Sequence, residues 1–228
     1  MGEMVSYRSN GGTSEGYLAV PSGGETWPAV IVIQEYWGLV GHIKAVADRF
    51  AGAGFVALAP DLYHGATAVE PDEAGKMIMG LAMDQAARDI AGAADYLANR
   101  PEVTGKVGAV GFCAGGSLAL WSATLSERIV GAVGFYPVLP WERMRPDWSD
   151  YAGKSALIHC SEEDGTSAAE GVQAARRAVE AAGGQCTVYD YPGTSHAFFN
   201  DDRPEVYHHP AAASAWARTL EFFRAKLG

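Results

Sequence analysis

Residues 107–120 read Val107-Gly-Ala-Val-Gly-Phe-Cys113-Ala-Gly-Gly-Ser-Leu-Ala-Leu120, and this stretch decides the fold prediction. An apolar run typical of a buried strand ends at Gly111, and a run rich in Ala and Leu, typical of a helix, begins just after Cys113. A strand, a sharp turn and a helix in this order form the pattern of a nucleophile elbow, here with a thiol where a serine hydroxyl is usual. Gly111 and Gly115 lack the side chains that would collide in such a turn. The pattern therefore predicts that Cys113 stands at the end of a strand and at a helix N-terminus that favours a thiolate.

Two other interpretations of Cys113 remain open at this point. A cysteine between a strand and a helix often fills the core, although the flanking glycines favour a nucleophile. A phosphate-binding loop would need Lys followed by Ser or Thr after the glycines, whereas Gly116 is followed by Ser117-Leu118. We therefore favour the nucleophile.

The composition favours one globular domain that acts on small molecules. The chain has 228 residues, of which 48% are hydrophobic, and it contains no low-complexity linker, so we predict a single domain over residues 1–228. The formal net charge of -10 argues against binding to nucleic acids or anionic membranes, because both carry charge of the same sign. We expect a small-molecule partner, no nucleic acid and no membrane, and a monomer or weak homodimer.

The cysteines and the N-terminus predict a cytoplasmic location. Cys113, Cys160 and Cys186 are odd in number, widely separated and without Cys-x-x-Cys spacing, so neither a disulfide framework nor a zinc cluster is indicated. The first residues lack a positively charged start followed by an apolar core, and no stretch of about 18 uninterrupted apolar residues occurs. We therefore expect a soluble protein in a reducing compartment.

Strand and helix patterns alternate along the chain. Residues 15–21 alternate in polarity and end at a proline, which predicts an antiparallel edge strand. Apolar runs typical of buried strands follow at residues 28–35, 55–60, 107–112, 129–137, 155–160 and 186–192. Helical spacing of apolar residues occurs near residues 43–50, 86–97, 168–182 and 216–227. The alternation predicts an α/β fold with a mostly parallel central sheet and helices on both faces.

Two residues later in the chain can act as the base and the orienting acid for the thiol. A thiol nucleophile needs a base that takes its proton, and the base needs an orienting carboxylate. Asp164 follows one predicted strand and His196 follows the next, which gives the order nucleophile, acid, histidine of α/β-hydrolases. Glu162 or Glu163 could be the acid instead. Because the carboxyl ends of parallel strands meet at one edge of a sheet, we expect these side chains to converge on Cys113.

Four blocks of sequence lie at predicted strand ends. They are Val32-Ile-Gln-Glu35-Tyr-Trp-Gly38-Leu, Ala59-Pro-Asp-Leu-Tyr63, Gly111-Phe-Cys113-Ala-Gly-Gly116 and Tyr191-Pro-Gly-Thr-Ser-His196-Ala-Phe-Phe. With these blocks the sequence resembles the dienelactone hydrolase family of the α/β-hydrolase fold over nearly its whole length. A cysteine elbow combined with Gln34-Glu35 is specific, because most α/β-hydrolases have serine at the elbow and no glutamate at the first block.

The resemblance implies a role for each polar residue. Cys113 is the implied nucleophile, His196 the general base and Asp164 its orienting acid. Glu35 is the implied additional glutamate of the family, which pairs with the thiol in the resting enzyme and helps to form the thiolate when substrate arrives. Burial in an apolar cleft raises the pKa of a carboxyl group, so such a glutamate can accept a thiol proton that an exposed one would refuse.

The predicted pocket is aromatic. The backbone N–H groups of Tyr36 and Ala114 are the implied oxyanion hole. Family members that hydrolyse dienelactone hold its carboxylate with arginines, one of them shortly after the catalytic histidine, whereas here the first arginine after His196 is Arg203. We therefore expect an aromatic pocket that attracts anions less strongly. The predicted lining side chains are Tyr36, Trp37, Tyr63, Trp141, Phe198 and Phe199. Core packing is the alternative for Phe198 and Phe199.

These features predict a hydrolase that cleaves a lactone or small carboxylic ester through a Cys113 thioester, with no metal or organic cofactor. The alternative is a ligand-binding protein of the same fold with little or no turnover, since fold alone does not fix function. An intact nucleophile, acid and base argue against that alternative. A third hypothesis is a metal-dependent hydrolase whose ligands would be His64, His159, His208 and His209. These histidines lack the H-x-x-x-H or H-E-x-x-H spacing of known metal sites.

Overall fold

The computed structural model describes residues 2–9, 11–24 and 26–228, in which eight strands form one sheet. The strands are β1 (Glu3–Ser9), β2 (Gly12–Ala19), β3 (Trp27–Ile33), β4 (Val56–Pro60), β5 (Val103–Phe112), β6 (Ile129–Phe135), β7 (Ser155–Ser161) and β8 (Gln185–Tyr191). Their order is β1-β2-β4-β3-β5-β6-β7-β8. The β1–β2 and β2–β4 pairs are antiparallel, and all later pairs are parallel.

Helices cover both faces of this sheet. They are α1 (Gly41–Gly52), α2 (Pro71–Gly80), α3 (Met83–Ala98), α4 (Ala114–Ser122), α5 (Trp141–Met144), α6 (Gly165–Ala181) and α7 (His209–Leu227), with a 3₁₀ turn at Trp148–Tyr151. Helices α1 and α7 contribute to one core, and α3, α4 and α6 contribute to the other. The predicted fold class is therefore confirmed. None of the helices in the described ranges combines the length and the hydropathy that crossing a membrane requires.

Strand β3 explains why the apolar runs are unbroken. Ile31 and Ile33 belong to the core that includes α3 and α4, whereas Val30 and Val32 belong to the core that includes α1 and α7. All four side chains are fully buried. Successive side chains of a strand point to opposite faces, and here both faces are covered by helices, so every position is apolar.

The prediction for the first antiparallel strand is wrong in one respect. β2 is antiparallel, but it lies between β1 and β4 and is therefore not an edge strand. The edge is formed by β1, for which the sequence predicted no element. Most side chains of β1 are exposed, so the strand has little of the apolar pattern by which a strand is recognised in sequence.

Candidate active site

Cys113 occupies the strained turn that the sequence predicted between β5 and α4. Its backbone has φ 57° and ψ -124°, a conformation that L-residues rarely adopt. A Cβ atom at Gly111 would overlap the carbonyl of Gly115, and one at Gly115 would overlap the carbonyl of Gln34. Only glycine allows these backbones to approach so closely. The turn therefore presents the thiol at the carboxyl edge of the sheet.

His196 and Asp164 lie together beside this turn. Nδ1 of His196 lies 2.5 Å from Oδ1 of Asp164, and Oδ2 of Asp164 accepts a hydrogen bond of 2.6 Å from Ser161 Oγ. Burial alone would lower the pKa of His196, but hydrogen bonds to Asp164 and Cys113, and the negative charges of both, raise it to about 10. The surroundings therefore favour an imidazolium ring whose positive charge can stabilise a thiolate on Cys113.

The other two acids of the same loop contact backbone rather than the imidazole ring. Oε2 of Glu162 accepts a hydrogen bond of 2.6 Å from the N–H of Gly193, and Oε2 of Glu163 accepts one of 2.9 Å from the N–H of His196. Both glutamates are exposed. Of the three candidate acids, only Asp164 contacts the ring, and the two glutamates fix the loop that carries it.

Glu35 is buried beside the thiol, with 2% of its surface exposed. Its Oε2 accepts a hydrogen bond of 2.7 Å from Nδ2 of Asn200, whereas Oε1 is buried and has no hydrogen-bond partner among the described residues. Burial raises the pKa of Glu35, and opposing effects come from His42, the Asn200 hydrogen bond, His196 and Arg203. No hydrogen bond between Glu35 and the Cys113 thiol, the pairing that the resemblance implied, is formed among the described residues: Oε2 is bound by Asn200 and Oε1 has no partner.

A cavity of about 280 Å³ joins these groups. Its wall includes Glu35, Cys113 and His196, together with the two residues predicted to supply the oxyanion hole, Tyr36 and Ala114. Asp164 also lines a larger cavity of about 480 Å³, but Cys113 and His196 do not line it. Chemistry at the thiol therefore belongs to the smaller cavity, whose size suits a small substrate.

The chain matches a known protein family over most of its length. The family model described as "Dienelactone hydrolase family" matches residues 14–227. The chain belongs to the dienelactone hydrolase family. It is 36% identical over 232 residues to "Protein usf" of Aquifex pyrophilus, with 98% of both chains covered.

Two further relatives extend the match. The chain is 32% identical over 243 residues to a protein of Aquifex aeolicus named "Putative carboxymethylenebutenolidase", with 100% of both chains covered. Its fold superimposes with a TM-score of 0.86 on the crystal structure described as "Putative Dienelactone Hydrolase" from Klebsiella pneumoniae, at 26% identity and with 98% of both chains covered. The chain is therefore similar over its whole length to hydrolases of this family.

Two of the predicted aromatic residues, Tyr36 and Trp37, line the cavity, and Tyr63 supports it through the Tyr36 backbone. Trp37 forms part of the cavity wall. The hydroxyl of Tyr63 donates a hydrogen bond of 3.2 Å to the carbonyl of Tyr36. Burial, and to a smaller extent the negative charge of Cys113, raises the pKa of Tyr63. Tyr63 thus lies near the thiol and supports the backbone of the predicted oxyanion hole.

The prediction that Phe198, Phe199 and Trp141 line the pocket is corrected. Phe198 and Phe199 are fully buried in the core, where Phe199 stacks on Phe112 with ring centroids 5.2 Å apart. Trp141 donates a hydrogen bond of 2.9 Å from its indole nitrogen to the carbonyl of Gly171 and so ties α5 to α6. The sequence did not distinguish these roles, because an aromatic run after a strand fits both a pocket and a core.

The structure also adds residues that sequence reasoning missed. Arg203 lines the cavity and so brings a positive charge to a pocket that was expected to attract anions less strongly. Asn200 has 3% of its surface exposed and binds Glu35, and in the sequence only its place four positions after His196 pointed toward the site. Tyr136 is fully buried at φ 38°, and its ring packs edge-on against His196 with centroids 5.0 Å apart.

The histidines of the metal hypothesis are used for other contacts. His64 pairs with Asp89 at 3.1 Å. His159 is buried between the hydroxyls of Thr219 and Tyr191, at 3.0 and 2.9 Å, and burial lowers its pKa to about 3. Nδ1 of His208 accepts a hydrogen bond from the first turn of α7. His64, His159 and His208 thus make contacts in different parts of the fold and do not converge on one site.

Proposed function

We propose that this hydrolase cleaves a lactone or small carboxylic ester through a covalent Cys113 thioester. The observation that carries the proposal is the convergence of the strained Cys113 turn and the His196–Asp164 pair on one cavity. A thiolate beside an imidazolium, at the N-terminus of α4, is a nucleophile for acyl transfer. Family membership supports the same class of reaction.

The first half-reaction transfers the acyl group to sulfur. The Cys113 thiolate attacks the carbonyl carbon, and the carbonyl oxygen takes up negative charge that the N–H groups of Tyr36 and Ala114 stabilise. The tetrahedral intermediate then expels the alkoxide, which takes a proton from His196. In a lactone the alkoxide stays attached to the acyl chain. The products of this step are a thioester and a neutral imidazole.

The second half-reaction hydrolyses the thioester. His196 takes a proton from water as the oxygen of that water bonds to the acyl carbon, and the collapse of the second intermediate breaks the C–S bond. The carboxylic acid leaves, and the imidazolium and the thiolate are restored. Asp164 holds the ring in the same orientation throughout. Glu35 accepts the thiol proton when the resting enzyme holds Cys113 as a neutral thiol, because burial has raised its proton affinity.

The test is replacement and selective alkylation of Cys113. We expect Cys113→Ala to lower kcat/KM for p-nitrophenyl acetate and for a simple enol-lactone by at least about 1000-fold. Cys160→Ala is the matched control, because burial raises the pKa of Cys160 to about 12 and makes it a poor nucleophile. Iodoacetamide at pH 7 should label Cys113 in the wild type and abolish activity.

Detection of the intermediate separates an enzyme from a binding protein. Acid quenching during turnover should leave an acyl group on the peptide that contains Cys113, visible by mass spectrometry. Retention of full activity by Cys113→Ala would overturn the mechanism. Tight binding of esters and lactones without turnover would instead support the ligand-binding alternative.

A further inference from the structure

Helix α2 contributes Ile78 to the wall of the reactive cavity, but little of the helix is buried. Of its ten residues, all of them described, only Ala74 is buried, and most of the others are exposed. By contrast, α3 has a buried face that runs from Ala86 to Leu97. Burial of apolar surface is the main force that holds a helix on a sheet. Helix α2 therefore depends on other contacts for its position.

The guanidinium group of Arg143, in α5, binds the C-terminal turn of α2. Nη1 donates a hydrogen bond of 3.0 Å to the carbonyl of Ile78, and Nη2 donates one of 3.1 Å to the carbonyl of Met79. Carbonyl groups in the last turn of a helix lack partners in the regular helical pattern, and the negative end of the helix dipole lies there. A planar guanidinium that binds two adjacent carbonyls therefore fixes both the position and the orientation of this turn.

The short helix that carries Arg143 is anchored by contacts away from α2. The side chain of Met144 is buried in the core, and the Trp141 ring packs edge-on against Trp148 with centroids 5.2 Å apart. The Trp141 indole is also hydrogen bonded to the carbonyl of Gly171 in α6. Arg143 therefore ties a weakly packed helix to a well anchored one.

Another part of the apolar cavity wall is fixed independently of Arg143. Leu139, shortly before α5, lines the same cavity as Ile78. The N–H of Leu139 donates a hydrogen bond of 2.9 Å to Oγ of Ser117, which is fully buried in α4. Because α4 begins directly after Cys113, Leu139 is held in place relative to the thiol. The position of Ile78, in contrast, depends on the contacts of Arg143.

We propose that Arg143 is a positioning residue that sets the size of the substrate, because it holds Ile78 in a fixed place in the cavity wall. The substrate class that follows is an ester or lactone with a short apolar acyl group, which suits a cavity of about 280 Å³. Arg143 is not among the described residues that line this cavity, so its effect needs no contact with the substrate. The inference rests on the proposed function, in which the ester is cleaved in this cavity.

Loss of the Arg143 contacts should affect short and long substrates in opposite directions. When Ile78 is free to move, a short acyl group loses contacts that hold its carbonyl beside the sulfur, whereas a longer one gains room. A single methylene that fits or does not fit an apolar pocket changes kcat/KM by about tenfold or more. A general loss of folded enzyme would instead lower the activity toward every ester by the same factor. The ratio between a long and a short ester therefore separates a specificity role from a structural one.

The test is the activity of Arg143→Gln toward p-nitrophenyl acetate and p-nitrophenyl hexanoate, both of which are neutral. We expect the ratio of kcat/KM for hexanoate to kcat/KM for acetate to rise about five- to tenfold, mainly through a higher KM for acetate. The matched control is Arg145→Gln, because Arg145 carries the same charge two positions later and is exposed. This control should change the ratio by less than about twofold.

Two further variants show whether the effect passes through Ile78. Ile78→Ala widens the cavity directly and should raise the same ratio, and adding Arg143→Gln to it should cause little further change. Arg143→Lys keeps the charge but loses the planar pair of donors, so its ratio should lie between those of the wild type and Arg143→Gln. If Arg143→Gln does not fold, Arg143→Lys decides the question by the same ratio.

Hydrogen exchange, followed by mass spectrometry, measures the attachment of α2 without any substrate. Amides of residues 71–80 should exchange at least about fivefold faster in Arg143→Gln, whereas the amides of α3 should be unchanged. An unchanged ester ratio, an equal change for Arg145→Gln, or unchanged exchange in α2 would overturn the inference. Failure of the proposed function looks different: full activity of Cys113→Ala would remove the thioester, while the ester ratios would still report on the cavity wall.

Discussion

Two histidine–carboxylate pairs have opposite patterns of exposure: His196 with Asp164, and His42 of α1, whose Nδ1 lies 3.1 Å from Oδ1 of Asp201. In the His196–Asp164 pair the ring is 30% exposed and the carboxylate 10% exposed. In the His42–Asp201 pair the ring is 1% exposed and the carboxylate 49% exposed. The first pair therefore presents its ring to the cavity, and the second presents its acid to solvent.

This difference decides how strongly each carboxylate can act on its histidine ring. The mostly buried Asp164 interacts with His196 where screening by water is weak, so it helps to raise the pKa of that ring to about 10. Asp201 is screened by solvent and salt, so its effect on His42 is smaller. We therefore expect loss of Asp164 to cost far more activity than loss of Asp201.

The largest effect is expected from Asp164→Asn. The substitution removes the charge that orients and stabilises the His196 imidazolium, so kcat/KM at pH 7 should fall by roughly 10,000-fold, as for the same change in the serine-protease triad. The control is Glu162→Gln, whose side-chain oxygen can still accept the Gly193 hydrogen bond. That control should lose less than about threefold. Equal losses would contradict the assignment of Asp164 as the acid.

A smaller effect, on substrate binding, is expected from Arg203. It lines the cavity, and its Nε lies 2.9 Å from Oε1 of Glu205. Arg203→Gln should raise KM for a carboxylate-bearing lactone about tenfold and leave a neutral ester within twofold, because a charged hydrogen-bond donor is lost. Assays at pH 8 avoid the shift that Arg203 also exerts on Glu35.

The matched variant for Arg203 should act in the opposite direction. Glu205→Gln frees the guanidinium from its neighbour and should lower KM for the same anionic lactone by about two- to threefold. If neither variant distinguishes the anionic from the neutral substrate, Arg203 does not contact substrate.

The smallest effect is expected away from both pairs. Trp141→Phe removes the indole N–H that donates to Gly171 but keeps an aromatic ring against Trp148, whose centroid lies 5.2 Å away. The free energy of unfolding, measured by urea denaturation, should fall by about 1 kcal/mol. We expect kcat/KM to stay within twofold. A tenfold loss of kcat/KM at unchanged stability would instead indicate that Trp141 contacts the substrate.

Local sequence rules account for the features that were predicted correctly. Gly111 and Gly115 indicate the Cys113 turn because their missing side chains are required within a few residues of it. The unbroken apolar strands indicate a sheet covered on both faces, since burial on both sides leaves no polar position. The chain order of Cys113, Asp164 and His196 matches the order of their strands, so their convergence follows once the parallel sheet is known.

The contacts around Glu35 depend on pairs far apart in the chain. Asn200 is 165 residues from Glu35, and Asp201 is 159 residues from His42. No periodicity or turn rule relates such positions. The positions of Phe198, Phe199 and Arg203 could not be predicted for a similar reason. The path of the backbone after His196 decides which side chains enter the core and which reach the cavity. The sequence by itself determined the elbow, the sheet and the order of the reacting groups, which local sterics and burial control. Only the tertiary structure decided how Glu35 is held and charged, since packing brings together groups that the chain separates.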